Sequence, residues 1–257
     1  IDSRGRQVTA GGRVVKNVAG YDMTRLITGS AGTLGFISEA TWRVSTIPER
    51  CAAITAAGSA DTCAATALEI VQSKLSPIYV TCLPENGSGD WKIVVGFEGF
   101  SQTVDYQLEK CGAVLEAANL KSLENTDYPV HAGRFGDVYQ GMGRSPFILR
   151  ADFPLDRVAD CFHALDGRPA LSGVLLDFGC GRIWAGLDAL GNDDWKRTCE
   201  LIDQHDGHGL LVKAPDDFRQ ENDVFGSPRP AWKVMHRIKA AMDPDNIFAP
   251  GSLPGKV

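Results

Sequence analysis

The chain is 257 residues long, 44% hydrophobic and 23% charged, an ordinary globular composition with enough chain for one large domain or two. Its formal charge is −6, from 26 Lys and Arg against 32 Asp and Glu, and no cationic run exists to bind phosphates, so nucleic acid is excluded as an expected partner. No apolar run reaches the roughly 18 residues of a membrane span. The seven cysteines are scattered and never spaced as CxxC, which points to no zinc or iron–sulfur site and no disulfide framework.

Taken in chain order, residues 7–16 read as extended, interrupted at Gly11 and Gly12. Asp22 is placed to cap a short helix running to about Ile27, and Gly29–Ser30 closes it. From Phe36 to Ile47 the side chains alternate: Phe36, Ser38, Ala40, Trp42 and Val44 on one face, Ile37, Glu39, Thr41 and Arg43 on the other. Period two over that length predicts a long strand. Pro48-Glu49-Arg50 then marks a boundary.

Beyond it the pattern predicts a strand at 51–57, a helix at 61–75, strands at 78–83 and 92–98, and a helix at 102–117. The stretch 120–145 reads as irregular. A strand at 147–153, a helix at 156–165, strands at 171–177 and 182–187, a helix at 193–204 and a strand at 209–214 follow. Each half therefore runs β-α-β-β-α, the ferredoxin-like order, and two such units would form one α+β domain with helices on one face of an antiparallel sheet. A last helix at 230–242 aligns Val234, Met235, Ile238, Ala241 and Met242 before Asp243-Pro244 stops it. Most cysteines occupy apolar positions of these elements, where Cys behaves as a small hydrophobe, so a reducing compartment is expected.

Chemistry concentrates in few places. Gly29, Gly32 and Gly35 recur every three residues in a loop that leads into the 36–47 segment. Rossmann and P-loop glycines instead open a helix, which disfavours a nicotinamide or nucleoside-triphosphate site. Glycines in such a loop still allow close backbone approach and free N–H groups, which suit a pyrophosphate or a flavin edge; plain turn geometry is the alternative. His205-Asp206-Gly207-His208 has a spacing that could chelate a metal, but a turn is the commoner meaning, and no metal site is assigned. His163 lies among apolar residues and reads as packed or capping, His236 lies on the charged side of the last helix, and His131 falls in the irregular stretch.

The segments Gly12-Arg13-Val14-Val15-Lys16-Asn17-Val18-Ala19-Gly20-Tyr21-Asp22 and Gly29-Ser30-Ala31-Gly32-Thr33-Leu34-Gly35-Phe36-Ile37 resemble the FAD-linked oxidases of the vanillyl-alcohol-oxidase type, most of all the FAD-binding E subunits of bacterial glycolate oxidases. Leu211–Pro215, Val224–Gly226 and Lys239–Gly251 are similar to segments of the same family. The resemblance implies residues 1–50 as the C-terminal part of an FAD-binding domain, 51–240 as a duplicated ferredoxin-like cap over the flavin, and 241–257 as a tail returning to the FAD domain. It implies FAD as cofactor, lined by Gly20, Tyr21, Asp22, Gly29, Ser30, Gly32, Thr33, Leu34, Gly35 and Ile37.

Three departures stand out. A chain starting at Ile1 looks cut, with the front half of the FAD domain expected before it, so this chain alone need not retain FAD. The Asn that usually precedes the terminal Pro-Gly is Ala249, and the His-rich metal motif of related 2-hydroxy-acid dehydrogenases has no convincing copy. Without the front half, the apolar strand set in 1–47 should be uncovered, giving a homodimer, swapped strands or disorder.

The implied reaction takes glycolate or a similar 2-hydroxy acid to the 2-oxo acid. The family resemblance adds a catalytic FAD subunit and an iron–sulfur subunit as partners, in the cytoplasm or peripheral to the inner membrane through those partners. The substrate carboxylate needs a cation, best an Arg fork. Arg150, in an apolar strand, is the first candidate, followed by Arg134 and Arg144; surface charge is the alternative for each. No residue stands out as the catalytic base. Two other functions stay open: a non-catalytic, partner-binding subunit, and a stand-alone ligand-binding domain.

Overall fold

Two β-α-β-β-α-β units share one eight-stranded antiparallel sheet in residues 46–227 of the computed structural model, which describes residues 1–12, 20–85, 90–127, 142–165 and 171–256. The first unit of the repeat runs β1 (Arg50–Gly58), α2 (Ala60–Gln72), β2 (Tyr79–Pro84), β3 (Trp91–Gly99), α3 (Ser101–Ala117) and β4 (Lys121–Asp127). The second runs β5 (Phe147–Asp152), a 3-10 turn at Leu155–Arg157, α4 (Val158–Leu165), β6 (Leu171–Asp177), β7 (Arg182–Leu187), α5 (Asn192–Gln204) and β8 (His208–Lys213). The strand order is β4-β1-β3-β2-β6-β7-β5-β8. Each half has the ferredoxin-like order, one the reverse of the other, and the halves meet where β2 pairs with β6 through Thr81–Asp177 and Cys82–Leu176.

Alternation explains which face is covered. Ala52, Ile54 and Ala56 of β1, Ile93, Val95 and Phe97 of β3, and Ile183, Ala185 and Leu187 of β7 are buried with Cys63, Ala67 and Ile70 of α2 and Val104, Leu108 and Cys111 of α3. Six of the seven cysteines are buried, as small hydrophobes would be; Cys180 is exposed. The strand β4 corrects the irregular assignment of 120–145. Lys121-Ser122-Leu123-Glu124-Asn125-Thr126-Asp127 has no apolar alternation and, Thr126 apart, no β-branched or aromatic residue, and its pairing with β1 supplies what the sequence pattern lacks. A polar sheet edge of this kind resists pairing with other chains.

Residues 1–45 and 228–257 form a second compact unit. It holds α1 (Met23–Ile27) and the last helix, α7 (Pro230–Met242); α6 (Asp216–Glu221) belongs to residues 46–227. Asp22 caps α1 as expected, its Oδ1 accepting from the Arg25 N–H at 3.1 Å. Two expectations fail here. The 36–47 segment forms no strand: among the described residues Phe36 exchanges backbone hydrogen bonds with Ile1 but no ladder continues through 37–47, and both alternating faces are open, with Trp42 82%, Val44 85% and Ile37 59% exposed. Alternation marks residues suited to a sheet, but a strand exists only with a hydrogen-bonded neighbour. The apolar stripe of α7 is likewise exposed at Val234 and Met235, and the buried residue of that helix is Lys239.

Candidate functional site

The glycine loop is built by backbone geometry. Gly29, Ala31 and Gly32 have φ of 80°, 51° and 73°, the left-handed region that only glycine enters without cost. The Ile27 carbonyl accepts from the Ser30 N–H at 3.1 Å, and the Ser30 carbonyl accepts both the Thr33 N–H at 3.0 Å and the Thr33 hydroxyl at 2.7 Å. The Phe36 N–H donates to the Ile1 carbonyl. Among the described residues, the N–H groups of Ala31, Gly32, Leu34 and Gly35 have no acceptor. A Cβ at Gly29 or Gly32 would meet nothing within 4 Å, so open space lies beside the loop. Successive unspent N–H donors beside open space fit an anionic, pyrophosphate-bearing cofactor.

Beneath the loop sits a buried ion pair that the sequence did not reveal. Lys239 and Asp243 are 2% and 1% exposed. The Lys239 ammonium donates to the Asp243 carboxylate at 2.5 Å, to the Phe248 carbonyl at 2.7 Å and to the Thr33 carbonyl at 3.0 Å, which uses all three of its donors. Asp243 accepts in turn from the N–H groups of Ile247 at 3.0 Å and Phe248 at 2.7 Å. Burial alone would raise the Asp243 pKa; the Lys239 donor and these two N–H groups outweigh it and hold the carboxyl below its ordinary value. The Lys-x-x-x-Asp spacing, one helical turn ending at a Pro, was the available signal.

The other expected cofactor residues differ in exposure, and of them Thr33 touches the ion pair. Thr33 and Leu34 are buried, Gly35 and Ser30 half-buried, Gly20 and Asp22 exposed, and Tyr21 and Ile37 project at 96% and 59% exposure. Residues 13–19, including Val15-Lys16-Asn17-Val18-Ala19, lie outside the described residues.

In residues 46–227, the sheet face turned away from the helices carries a second polar cluster. Cross-strand neighbours place Leu175, Trp184, Arg150 and Leu210 in one row and Asp177, Arg182, Asp152 and His208 in the next. Asp152 takes both guanidinium groups, Arg150 Nε at 3.1 Å and Arg182 through a short hydrogen bond. The Arg150 side chain is 31% exposed, so the apolar strand brings it to an accessible face but pairs it with a carboxylate. Arg144 is exposed in the turn before β5, and Arg134 and His131 lie outside the described residues. At the edge of this cluster the exposed Cys180 donates to Asp177; burial of the thiol and that carboxylate push its pKa up to about 11, which keeps it an unreactive thiol at neutral pH.

The histidines hold structure together. His205 bonds the Leu201 carbonyl at the end of α5, and His236 bonds the Pro254 carbonyl at 2.6 Å. His163 departs from its expected packing: it is half exposed, with Nε2 2.7 Å from Asp61. Among the described residues no three His, Cys, Asp or Glu side chains group as a metal site.

A family profile described as FAD linked oxidases, C-terminal domain, matches residues 227–253. Along 97% of its length the chain is 42% identical to a mitochondrial D-lactate dehydrogenase [cytochrome] of Arabidopsis thaliana, covering 50% of that protein. Along 98% it is 28% identical to the glycolate oxidase subunit GlcD of Bacillus subtilis, covering 61% of it. A 32% match to subunit GlcE of Escherichia coli takes in 38% of the chain and 27% of that protein. The chain thus spans between half and about three fifths of the length of the first two relatives. In fold it is similar to alkyldihydroxyacetonephosphate synthase, with TM-scores of 0.57 and 0.60 in two crystal forms, 16% and 13% identity, 91% of this chain and 50% of that one. The segment that this profile matches is the one that Lys239 and Asp243 fasten to the glycine loop, and there, as along nearly its whole length, the chain is similar to FAD-linked oxidases.

Proposed function

We propose that this chain is a subunit or part of an FAD-dependent oxidoreductase that oxidises a small 2-hydroxy acid, glycolate or D-lactate, to the 2-oxo acid. The observation that carries this is the glycine loop, with four N–H donors unspent beside open space. The substrate class rests on the names of the two relatives that align along nearly the whole chain.

FAD held there would supply the hydride acceptor for oxidation of the carbon that bears the hydroxyl. The chain's own part is to hold and orient. The N–H groups of Ala31, Gly32, Leu34 and Gly35 bind pyrophosphate oxygens, with Gly20, Tyr21, Asp22, Gly29, Ser30, Thr33 and Ile37 around them. Arg150 offers the guanidinium edge not spent on Asp152 to the substrate carboxylate, with Arg144 and Arg134 as the further candidates. The hydroxyl proton leaves to a base that no residue here is assigned to be. Residues 1–45 and 228–257, the unit that holds the glycine loop and Lys239, act as the cofactor domain and 46–227 as the cap, in place of boundaries at 50 and 240. An FAD subunit and an iron–sulfur subunit carry the electrons onward, in the cytoplasm or at the inner membrane face. No helix among the described residues is long and apolar enough to cross a membrane.

A second function, a partner-binding subunit without catalysis, is favoured by Ala249, which lacks the polar side chain of the usual Asn. One experiment separates them. The purified chain is incubated with FAD, gel-filtered, and mixed anaerobically with glycolate or D-lactate. Retained flavin bleached by either acid supports the oxidoreductase. Flavin that neither acid bleaches, or no flavin at all, supports the partner-binding subunit.

A further inference from the structure

We infer that Lys239 is a positioning residue of the cofactor loop: by holding the Thr33 carbonyl it turns the Leu34 N–H away from the ion pair, as a donor for the adenine–pyrophosphate half of FAD. The inference rests on the cofactor assignment of the preceding section and deepens it.

The geometry follows from the peptide bond. A trans peptide is planar, and its C=O and N–H point in opposite directions. The Thr33 carbonyl is drawn onto the Lys239 ammonium at 3.0 Å, so the N–H of the same peptide, that of Leu34, points away from the ammonium. The next pinned carbonyl acts alike. Ser30 O accepts twice from Thr33, and the N–H of that peptide, on Ala31, is turned the other way. Both N–H groups lack an acceptor among the described residues. An unmet donor costs free energy in the free protein, and that cost is recovered when an anion arrives.

Lys239 suits the task because its three donors meet three acceptors that no other group ties together. Thr33 lies in the loop, Phe248 in the tail and Asp243 at the helix end. Asp243 in turn fixes the tail through Ile247 and Phe248. Loop and tail therefore share one point of attachment. Losing it frees the Thr33–Leu34 peptide to rotate.

The test uses the whole chain with Lys239→Met and, where that variant folds poorly, Lys239→Gln, which keeps amide donors without the charge. Amide hydrogen exchange is followed in segments 29–35 and 243–251, with 46–227 as the internal control. ADP affinity is measured by calorimetry, because a merely structural role would leave it unmoved. The inference expects both segments to exchange at least tenfold faster together, 46–227 to stay unchanged, and ADP to bind at least tenfold more weakly, with Lys239→Gln between the two. Faster exchange in the tail with the loop unchanged would overturn it. So would undiminished ADP binding. If the unaltered chain binds no ADP, the cofactor assignment fails, and the exchange result alone then decides whether Lys239 sets the loop.

Discussion

At the scale of single residues, the Lys239–Asp243 pair and Ala249 carry distinct energetic weights. A buried ion pair is costly to assemble, yet removing one partner strands the other, at a loss of about 3 kcal/mol or more. Asp243 has a lowered folded pKa, so its contribution is fully present above the unfolded value near 3.9 and is lost as pH falls through the folded value. Urea unfolding of residues 1–45 and 228–257, followed at pH 6 and pH 2.5, should show a larger acid loss in the unaltered chain than in Asp243→Asn. Equal losses would mean that the carboxylate is not the titrating group. Ala249 has φ of 41°, where an L side chain is strained and Asn is far better tolerated. Ala249→Asn, the residue usual in the family, should raise stability by about 0.5–1 kcal/mol, read from the urea midpoint.

At the scale of elements, periodicity revealed far more of the sheet than of the cofactor unit. The strands at 171–177 and 182–187 and the helix at 230–242 match the pattern residue for residue, the helix because Pro230 opens it and Asp243-Pro244 stops it, although its apolar stripe is not the face that is buried. The 36–47 alternation misled, since a strand also needs a partner, and β4 escaped notice because its partner supplies the order its side chains do not. Lys239 was illegible for a related reason: a lysine on a helix reads as a solvated charge until three carbonyl and carboxylate oxygens converge on it. Glycines show the same dependence on neighbours. A Cβ on Gly96 would lie 2.2 Å from the ring of Tyr79, its cross-strand partner, whereas one on Gly112, inside α3, would meet Ile54 at an ordinary 3.5 Å. Gly96→Ala should cost about 1–3 kcal/mol. Gly112→Ala should stabilise by about 0.5–1 kcal/mol. Parallel urea titrations check both, and a tolerated Gly96→Ala would mean that Tyr79 moves freely.

At the scale of the whole molecule, duplication is the dominant fact. Two βαββαβ halves meeting at β2 and β6 give one continuous sheet with helices over one face, which leaves the other face free to carry Arg150, Arg182 and Trp184. The remaining residues, 1–45 and 228–257, hold a loop of unspent N–H groups fastened to the tail from beneath. The fold class was legible because strand and helix periods are backbone requirements written in residue type, and the likeness to FAD-linked oxidases because whole segments such as Gly29–Ile37 and Lys239–Gly251 carry it. The surroundings of the candidate arginines were less so, because the pairing of Arg150 with Asp152 depends on a register that no local pattern encodes.

A glycine loop that serves as the chain's cofactor site makes flavin retention depend on it, so the measurement to make is flavin retained after gel filtration by the unaltered chain and by Gly32→Val. Gly32 has φ of 73° and open space beside it, so valine strains the loop backbone without striking a neighbour. The account predicts that the unaltered chain leaves the column carrying flavin and that Gly32→Val leaves it colourless, with residues 46–227 still folded. Equal flavin on both proteins, or none on the unaltered chain, would contradict it.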